Sequence, residues 1–120
     1  MDERVLKWLY DIDFCILEID SFFDENEMNF HKYKTNVMRK RAVERNLEII
    51  GEAVNRIITK DISYSEKISH AKAIIGVRNH VIHAYDSVSD ENIWSILITH
   101  LPKLKSEIKV LIKQFESDLI

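Results

Sequence analysis

Glycine and proline are scarce in this chain, and this scarcity constrains the fold more than any other feature. The 120 residues contain two glycines and one proline. Folds made of β-strands need a turn about every ten residues, and turns are built largely from glycine, proline and asparagine. A composition of 46% hydrophobic and 31% charged residues is typical of a chain that folds. We therefore predict an all-α fold, an antiparallel bundle of four to five helices.

Hydrophobic periodicity places the first two helices. Apolar residues at alternating steps of three and four predict a helix from about residue 3 to 24, and a second stripe predicts one from about residue 35 to 59. Cys15 lies beside the first seam and is expected to be a small core residue. Gly51 lies inside the second helix, where a glycine is unfavourable, so we expect another helix to approach it closely.

Capping residues and the proline divide the second half of the chain. Residues 60–65 are predicted to form a loop. Ser69 is the expected N-cap of a third helix, and Ser89 is the expected N-cap of a fourth. Pro102 should kink or break the helix after Leu101, and the last helix is predicted to continue to about residue 119.

The length and the cysteine content limit the number of domains and the kinds of site that the chain can form. A chain of 120 residues is expected to form one domain, 1–120. Cys15 alone can form neither a disulfide framework nor a zinc site, which suits a reducing compartment. The N-terminus lacks a signal-peptide pattern, and no apolar run reaches the roughly 20 residues of a membrane span. A soluble, cytoplasmic protein is expected.

Charge is distributed unevenly along the chain, although the net charge is only −3. Residues 1–30 carry nine acidic and two basic side chains, whereas residues 31–60 carry eight basic and three acidic ones. Such asymmetry can indicate an anionic partner, or two helices that attract each other. Both interpretations stay open.

The second predicted helix carries a ladder of charges at steps of three and four: Arg45, Glu48, Glu52 and Arg56. Spacings of this kind form ion pairs along one helix face. The ladder can therefore be a solvated salt-bridge face. Alternatively, Glu48 or Glu52 orients a side chain of an active site.

Metal and nucleotide sites find no support in the sequence. It contains no His-Glu-x-x-His pattern, no cysteine pair and no glycine-rich phosphate loop, so we expect neither a metal site nor a cofactor. Three histidines lie apart without a suitably spaced acid and are expected to be surface or capping residues: His31, His70 and His100.

The remaining candidates for chemistry cluster in the third predicted helix: Arg78, Asn79, His80, His83 and Tyr85. Arginine offers a fork of donors that matches phosphate oxygens, and histidine exchanges protons near neutral pH. Attack of a ribose 2′-hydroxyl on its neighbouring phosphorus needs both proton transfer and stabilisation of the anionic transition state. On an ideal helix Arg78 and His83 lie about 140° apart, so they converge only if the arginine reaches across or the helix loosens. A capped helix end with structural hydrogen bonds is the alternative.

A family resemblance favours the chemical interpretation. The pattern Arg78-x-x-x-x-His83-x-Tyr85, with Asn79 after the arginine, resembles the signature of HepT-like toxins of the HEPN superfamily. Residues 41–53 resemble the second helix of that family, and residues 88–94 and 101–104 resemble its later helices. The similarity extends from about residue 40 to 105.

The resemblance implies a HEPN-like helical domain, a homodimer and a metal-independent endoribonuclease. Arg78 would bind and stabilise the scissile phosphate, and His83 would act as general base or acid. Asn79 would orient the phosphate or His83. Cleavage would leave a cyclic phosphate. The resemblance also implies a partner, a minimal nucleotidyltransferase antitoxin, which would transfer AMP to Tyr85. His80 adds a second imidazole, so which histidine titrates usefully is open.

A different class of function remains in competition. The chain could be a non-catalytic dimeric module that serves only as the partner and AMP acceptor of a nucleotidyltransferase. The third hypothesis is a purely structural helical bundle, in which Arg78 and His83 have no functional role.

Overall fold

Helices account for nearly all of the chain that the structure describes. The structure is a computed structural model and describes residues 2–24, 26, 28–83 and 89–118, with backbone alone for residues 78–83. Its helices are α1 Glu3–Ser21, α2 Phe30–Thr35, α3 Val37–Lys60, α4 Tyr64–Lys67, α5 Ala71–His83, α6 Asp90–Ser95 and α7 Leu101–Asp118. No strand occurs in these ranges. The predicted all-α helical bundle is confirmed.

Polar contacts along α1 show how the long helices run. Asp20 and Asp13 pair with Lys105 and Lys109 of α7, so the later residue of α1 meets the earlier residue of α7. On the other side, Glu18 accepts a hydrogen bond from Asn46 near the middle of α3, whereas Asp2 pairs with Lys60 at its end. Helix α1 is therefore antiparallel to both α7 and α3.

The apolar seams predicted for α1 and α3 form the hydrophobic core. Leu9, Ile12 and Ile16 of α1 and Ile50 and Ile57 of α3 have no exposed surface. Gly51 is buried, and the close approach of another helix to it stays a prediction.

Cys15 is the small core residue that was expected. It is buried, and burial raises the pKa of its thiol to about 11. The thiol is therefore protonated and unreactive at neutral pH.

The region between α1 and α3 differs from the prediction. Helix α1 ends at Ser21 rather than near residue 24, because the next amide, of Phe22, bonds the Ile19 carbonyl in a tightened last turn. The short helix α2 was not predicted, and α3 begins at Val37 rather than at Thr35. Asn36 separates the two helices and caps α3, accepting a hydrogen bond from the Arg39 amide at 2.9 Å.

Two further predictions are wrong: the loop over residues 60–65 and the capping of the third predicted helix by Ser69. Residues 64–67 form α4, whose Tyr64 side chain is buried. Helix α5 begins at Ala71, and Ser69 does not cap it. Instead, the amide and hydroxyl of Ser69 donate to the Glu107 carboxylate on α7, an acid 38 residues away.

Ser89 caps α6 as predicted, accepting a hydrogen bond from the Asn92 amide at 3.2 Å. The predicted interruption near Pro102 is a π-helical turn, Ile96–His100, in which the Leu101 amide bonds the Ile96 carbonyl. Proline lacks an amide hydrogen and crowds the preceding turn, and a wider turn accommodates it. The interruption therefore precedes the proline instead of following Leu101.

In the ranges that the structure describes, no helix is both long and apolar enough to cross a membrane.

Candidate active site

Helix α5 carries four of the five residues of the predicted cluster. Arg78, Asn79, His80 and His83 lie in the second half of this 13-residue helix, and its hydrogen-bonded backbone extends to His83. Their side chains, and Tyr85 as a whole, lie outside the described residues. The structure therefore confirms the helix that presents the cluster, and the roles of the side chains stay predictions.

The register of α5 assigns these positions to two faces. At 100° per residue, Asn79, His80 and His83 share a face with Gly76. Arg78 lies on the side of Ala71 and Ile74, which are buried, about 140° from His83. Along the helix axis Arg78 and His83 are separated by about 7.5 Å.

This separation bears on how the two residues could meet. Helix α5 packs mainly against α3. Because the buried Ala71 and Ile74 mark its core-facing side, Arg78 occupies a core-facing position in the register and His83 an opposite one. The backbone stays helical to His83, and no loosening before this residue brings the two positions together. A shared phosphate site therefore needs a long reach by Arg78 or a second chain.

The acidic residues of α3 form the predicted ladder of ion pairs. Arg45 bonds Glu48 at 3.1 Å and Arg56 bonds Glu52 at 3.2 Å. Both carboxylates are partly buried, at 26% and 34% side-chain exposure, and they line a groove between α3 and α1 together with Trp8. The salt-bridge interpretation is confirmed, and an orienting role for either glutamate stays a prediction.

His70 and His100, which were expected to lie apart, are neighbours in the structure. The rings of His70 and His100 stack nearly parallel, with centroids 4.3 Å apart. Burial, and then the neighbouring His70, lower the pKa of His100. Its Nδ1 is buried and has no hydrogen-bond partner in the part of the chain that the structure describes. The 30-residue separation of the pair left no signal in the sequence.

In the described ranges, no group of three or more histidine, cysteine, aspartate or glutamate side chains is arranged to hold a metal ion.

Comparison with known proteins identifies the family. A family model described as ribonuclease HepT-like matches residues 12–111. The chain belongs to the HepT-like ribonuclease family. This match includes α3, all of α5 and most of α7, and so the predicted cluster lies within it.

Curated relatives of this HepT-like chain agree with the family match. Two candidate RNases of Methanocaldococcus jannaschii are each 36% identical over 119 residues, covering 97% of this chain and 98% and 94% of their own lengths. A candidate RNase of Caldanaerobacter subterraneus subsp. tengcongensis is 32% identical over 89 residues, covering 72% of this chain and 77% of its own length. No solved structure matches the chain significantly. The findings support a ribonuclease of the HepT-like family.

Proposed function

We propose that this chain is a metal-independent endoribonuclease in which Arg78 and His83 act on one phosphodiester. One observation carries the proposal: a chain that matches a ribonuclease family over residues 12–111 holds an arginine and a histidine five residues apart in α5. These two side chains supply phosphate binding and proton transfer.

The reaction uses the substrate's own nucleophile. His83 removes the proton from a ribose 2′-hydroxyl, and the oxygen attacks the adjacent phosphorus. Arg78 stabilises the charge that develops on the phosphoryl oxygens. The bond from phosphorus to the 5′-oxygen breaks, and this oxygen takes a proton from an imidazolium, for which His80 is the second candidate. The products are a 2′,3′-cyclic phosphate and a 5′-hydroxyl end. Asn79 orients the phosphate or His83.

The site is proposed to form between two protomers of a homodimer. The register of α5 keeps Arg78 and His83 of one helix on different faces, whereas a two-fold axis near the cluster can bring residues of two helices together. Glu48 or Glu52 orients a site residue in this arrangement, on the side of α3 that carries the ion-pair ladder.

The proposed biological setting is a cytoplasmic toxin with a minimal nucleotidyltransferase antitoxin. AMP on Tyr85, two residues after His83, would place a bulky anion beside the phosphate site and block RNA by steric and electrostatic repulsion. Purified nucleotidyltransferase with radiolabelled ATP should label the wild type, and Tyr85→Phe should not be labelled.

The deciding experiment is RNA cleavage in the presence of a chelator. Wild-type protein should cut RNA and leave cyclic phosphate ends, whereas Arg78→Ala and His83→Ala should each be slower by about 100-fold or more. His31→Ala, which changes an exposed histidine of α2, is the matched control and should cleave like the wild type. Size-exclusion chromatography with light scattering verifies that each variant keeps the wild-type mass.

The results separate the two classes of function. Cleavage that persists in both Arg78→Ala and His83→Ala would refute the assigned chemistry. A clean wild type that leaves RNA intact, yet accepts AMP on Tyr85, would instead establish the non-catalytic module.

A further inference from the structure

The connection between α4 and α5 is attached to the last third of the chain at two neighbouring residues. Ser69 donates hydrogen bonds from its amide and its hydroxyl to the Glu107 carboxylate of α7. The next residue, His70, stacks its ring on that of His100, with the centroids 4.3 Å apart and 7° between the ring planes. His100 is the last residue of the π-helical turn. We call these two contacts together the α5 latch.

The α5 latch fixes the first turn of α5. This helix begins at Ala71, directly after His70, and the His70 carbonyl accepts a hydrogen bond from the Ile74 amide at 3.0 Å. Along its length α5 packs mainly against α3, whereas the latch attaches its first turn to α7 and to the π-helical turn. A change at the latch therefore acts on the start of the helix that carries Arg78 and His83.

The geometry of the stacked rings favours the uncharged form of His100. Two imidazolium rings stacked nearly parallel at 4.3 Å would repel each other. The Nδ1 atom of His100 is buried and has no hydrogen-bond partner among the described residues, and a charge there would be poorly solvated. In agreement with this geometry, burial and then the neighbouring His70 lower the pKa of His100.

The charged residues of the surrounding elements do not compensate for this effect. The π-helical turn packs against α6 and α7, and His70 lies between α4 and α5. Among the described residues, His70 is the one side chain that shifts the pKa of His100. The charged residues of these four elements that lie closest to the stack along the chain, or bond its neighbour Ser69, contribute nothing to the shift: Lys67, Lys72, Asp90, Glu91, Lys103 and Glu107.

We propose that the α5 latch is a pH-sensitive device, which is closed while His100 is neutral and opens on acidification to release the first turn of α5. The inference concerns the helix that carries the candidate site, and it does not depend on whether that site cleaves RNA. It makes the attachment of this helix, and hence any function that the helix carries, sensitive to mild acid.

Proton binding gives the sign and the size of the response. The closed latch holds His100 at a lowered pKa, whereas opening restores the ordinary value of about 6.5, so protons favour the open form. The latch should be fully closed above about pH 6.5 and should open as the pH falls towards the lowered pKa. At pH 5.5 an open His100 is protonated about ten to one. This residue alone can therefore shift the equilibrium towards opening by up to about tenfold.

The test measures amide hydrogen exchange by NMR at pH 7.5 and pH 5.5, expressed as protection factors so that the intrinsic effect of pH is removed. The Ile74 amide, which bonds the His70 carbonyl, reports on the latch. The amide of Val54, a fully buried residue of α3, reports on opening of the whole core. In the wild type, Ile74 should be less protected than Val54, and its protection should fall several-fold, approaching tenfold, at the lower pH.

Four variants identify the group that responds to pH. His100→Phe keeps a ring that can stack but binds no proton, and His100→Gln has no ring, so the protection of Ile74 should not depend on pH in either variant. Glu107→Gln should lower this protection at both pH values and keep its fall. His31→Phe, which changes an exposed histidine of α2, is the matched control and should behave like the wild type.

Three results would overturn the inference. A wild-type fall that persists in His100→Phe or in His100→Gln would show that another group responds to pH. Loss of the fall in Glu107→Gln would assign the response to the carboxylate rather than to the stacked rings. Equal protection of Ile74 and Val54 at both pH values would show that the latch opens only when the whole protein unfolds. None of these results bears on the ribonuclease, which the cleavage assay tests separately.

Discussion

Lys40 and Asp90 form an ion pair that joins α3 to the first turn of α6. The ammonium of Lys40 lies 3.0 Å and 3.1 Å from the two carboxylate oxygens of Asp90. Both side chains are mostly buried, at 18% and 19% exposure. A second pair, Lys7 and Asp11 within α1, has the same 3.0 Å distance but 71% and 43% exposure. The two pairs therefore share their shortest distance and differ in burial, and only the exposed pair lies within one helix.

The expected coupling energies follow from this difference. Two unit charges 3 Å apart attract by about 5 kcal/mol at an effective dielectric constant of about 20, and desolvation and side-chain ordering offset most of this. We expect a net coupling of about 1–2 kcal/mol for Lys40–Asp90, between the values typical of exposed and of buried pairs. For Lys7–Asp11 we expect about 0.3–0.5 kcal/mol, as for other exposed pairs four residues apart on a helix.

Double-mutant cycles measure both couplings. Lys40→Met and Asp90→Asn, singly and together, and the matched Lys7→Met and Asp11→Asn set are unfolded in urea at 50 mM and 500 mM salt. The coupling of the exposed pair should fall at the higher salt concentration, and that of the buried pair should fall less. Equal couplings for the two pairs, with equal salt dependence, would refute the argument that burial strengthens Lys40–Asp90.

Two further predictions concern buried polar groups. Tyr33 is fully buried and its hydroxyl has no partner among the described residues, so Tyr33→Phe should raise the free energy of unfolding by about 1 kcal/mol; a loss of stability in urea would reveal a hydrogen bond. His100 has a lowered pKa in the folded state, so the unfolded chain binds the proton more readily. Stability should be complete above about pH 6.5 and decline as the pH falls through the lowered value. His100→Gln should flatten the melting temperature between pH 7.5 and 5.5, and an unchanged profile would contradict this assignment.

Much of the helical architecture could be predicted because its causes are local in sequence. The seams of α1 and α3 repeat within a few residues, and the Ser89 cap and the Pro102 interruption depend on the adjacent turn. Helix α2 was missed because it has only six residues, too few to show a period.

The candidate site was predictable in part for the same reason. Positions 78 and 83 could be assigned to one helix, and their separation of about 140° follows from ideal helix geometry. The family signature singled them out among other arginines and histidines. Whether their side chains meet is not a property of one helix, because convergence depends on what faces α5.

The amino-acid sequence by itself determined the helical class, the core seams and the residues that carry the family signature, since each depends on neighbours within one or two turns. Only the tertiary structure decided which distant groups meet. In this structure the ring of His70 stacks on that of His100. Ser69 donates a hydrogen bond to Glu107 instead of capping a helix, and a Cβ atom at Gly76 would meet no described atom within 4 Å. The physical reason is that such contacts depend on where helices cross, and this position is set by packing of the whole core rather than by any local spacing.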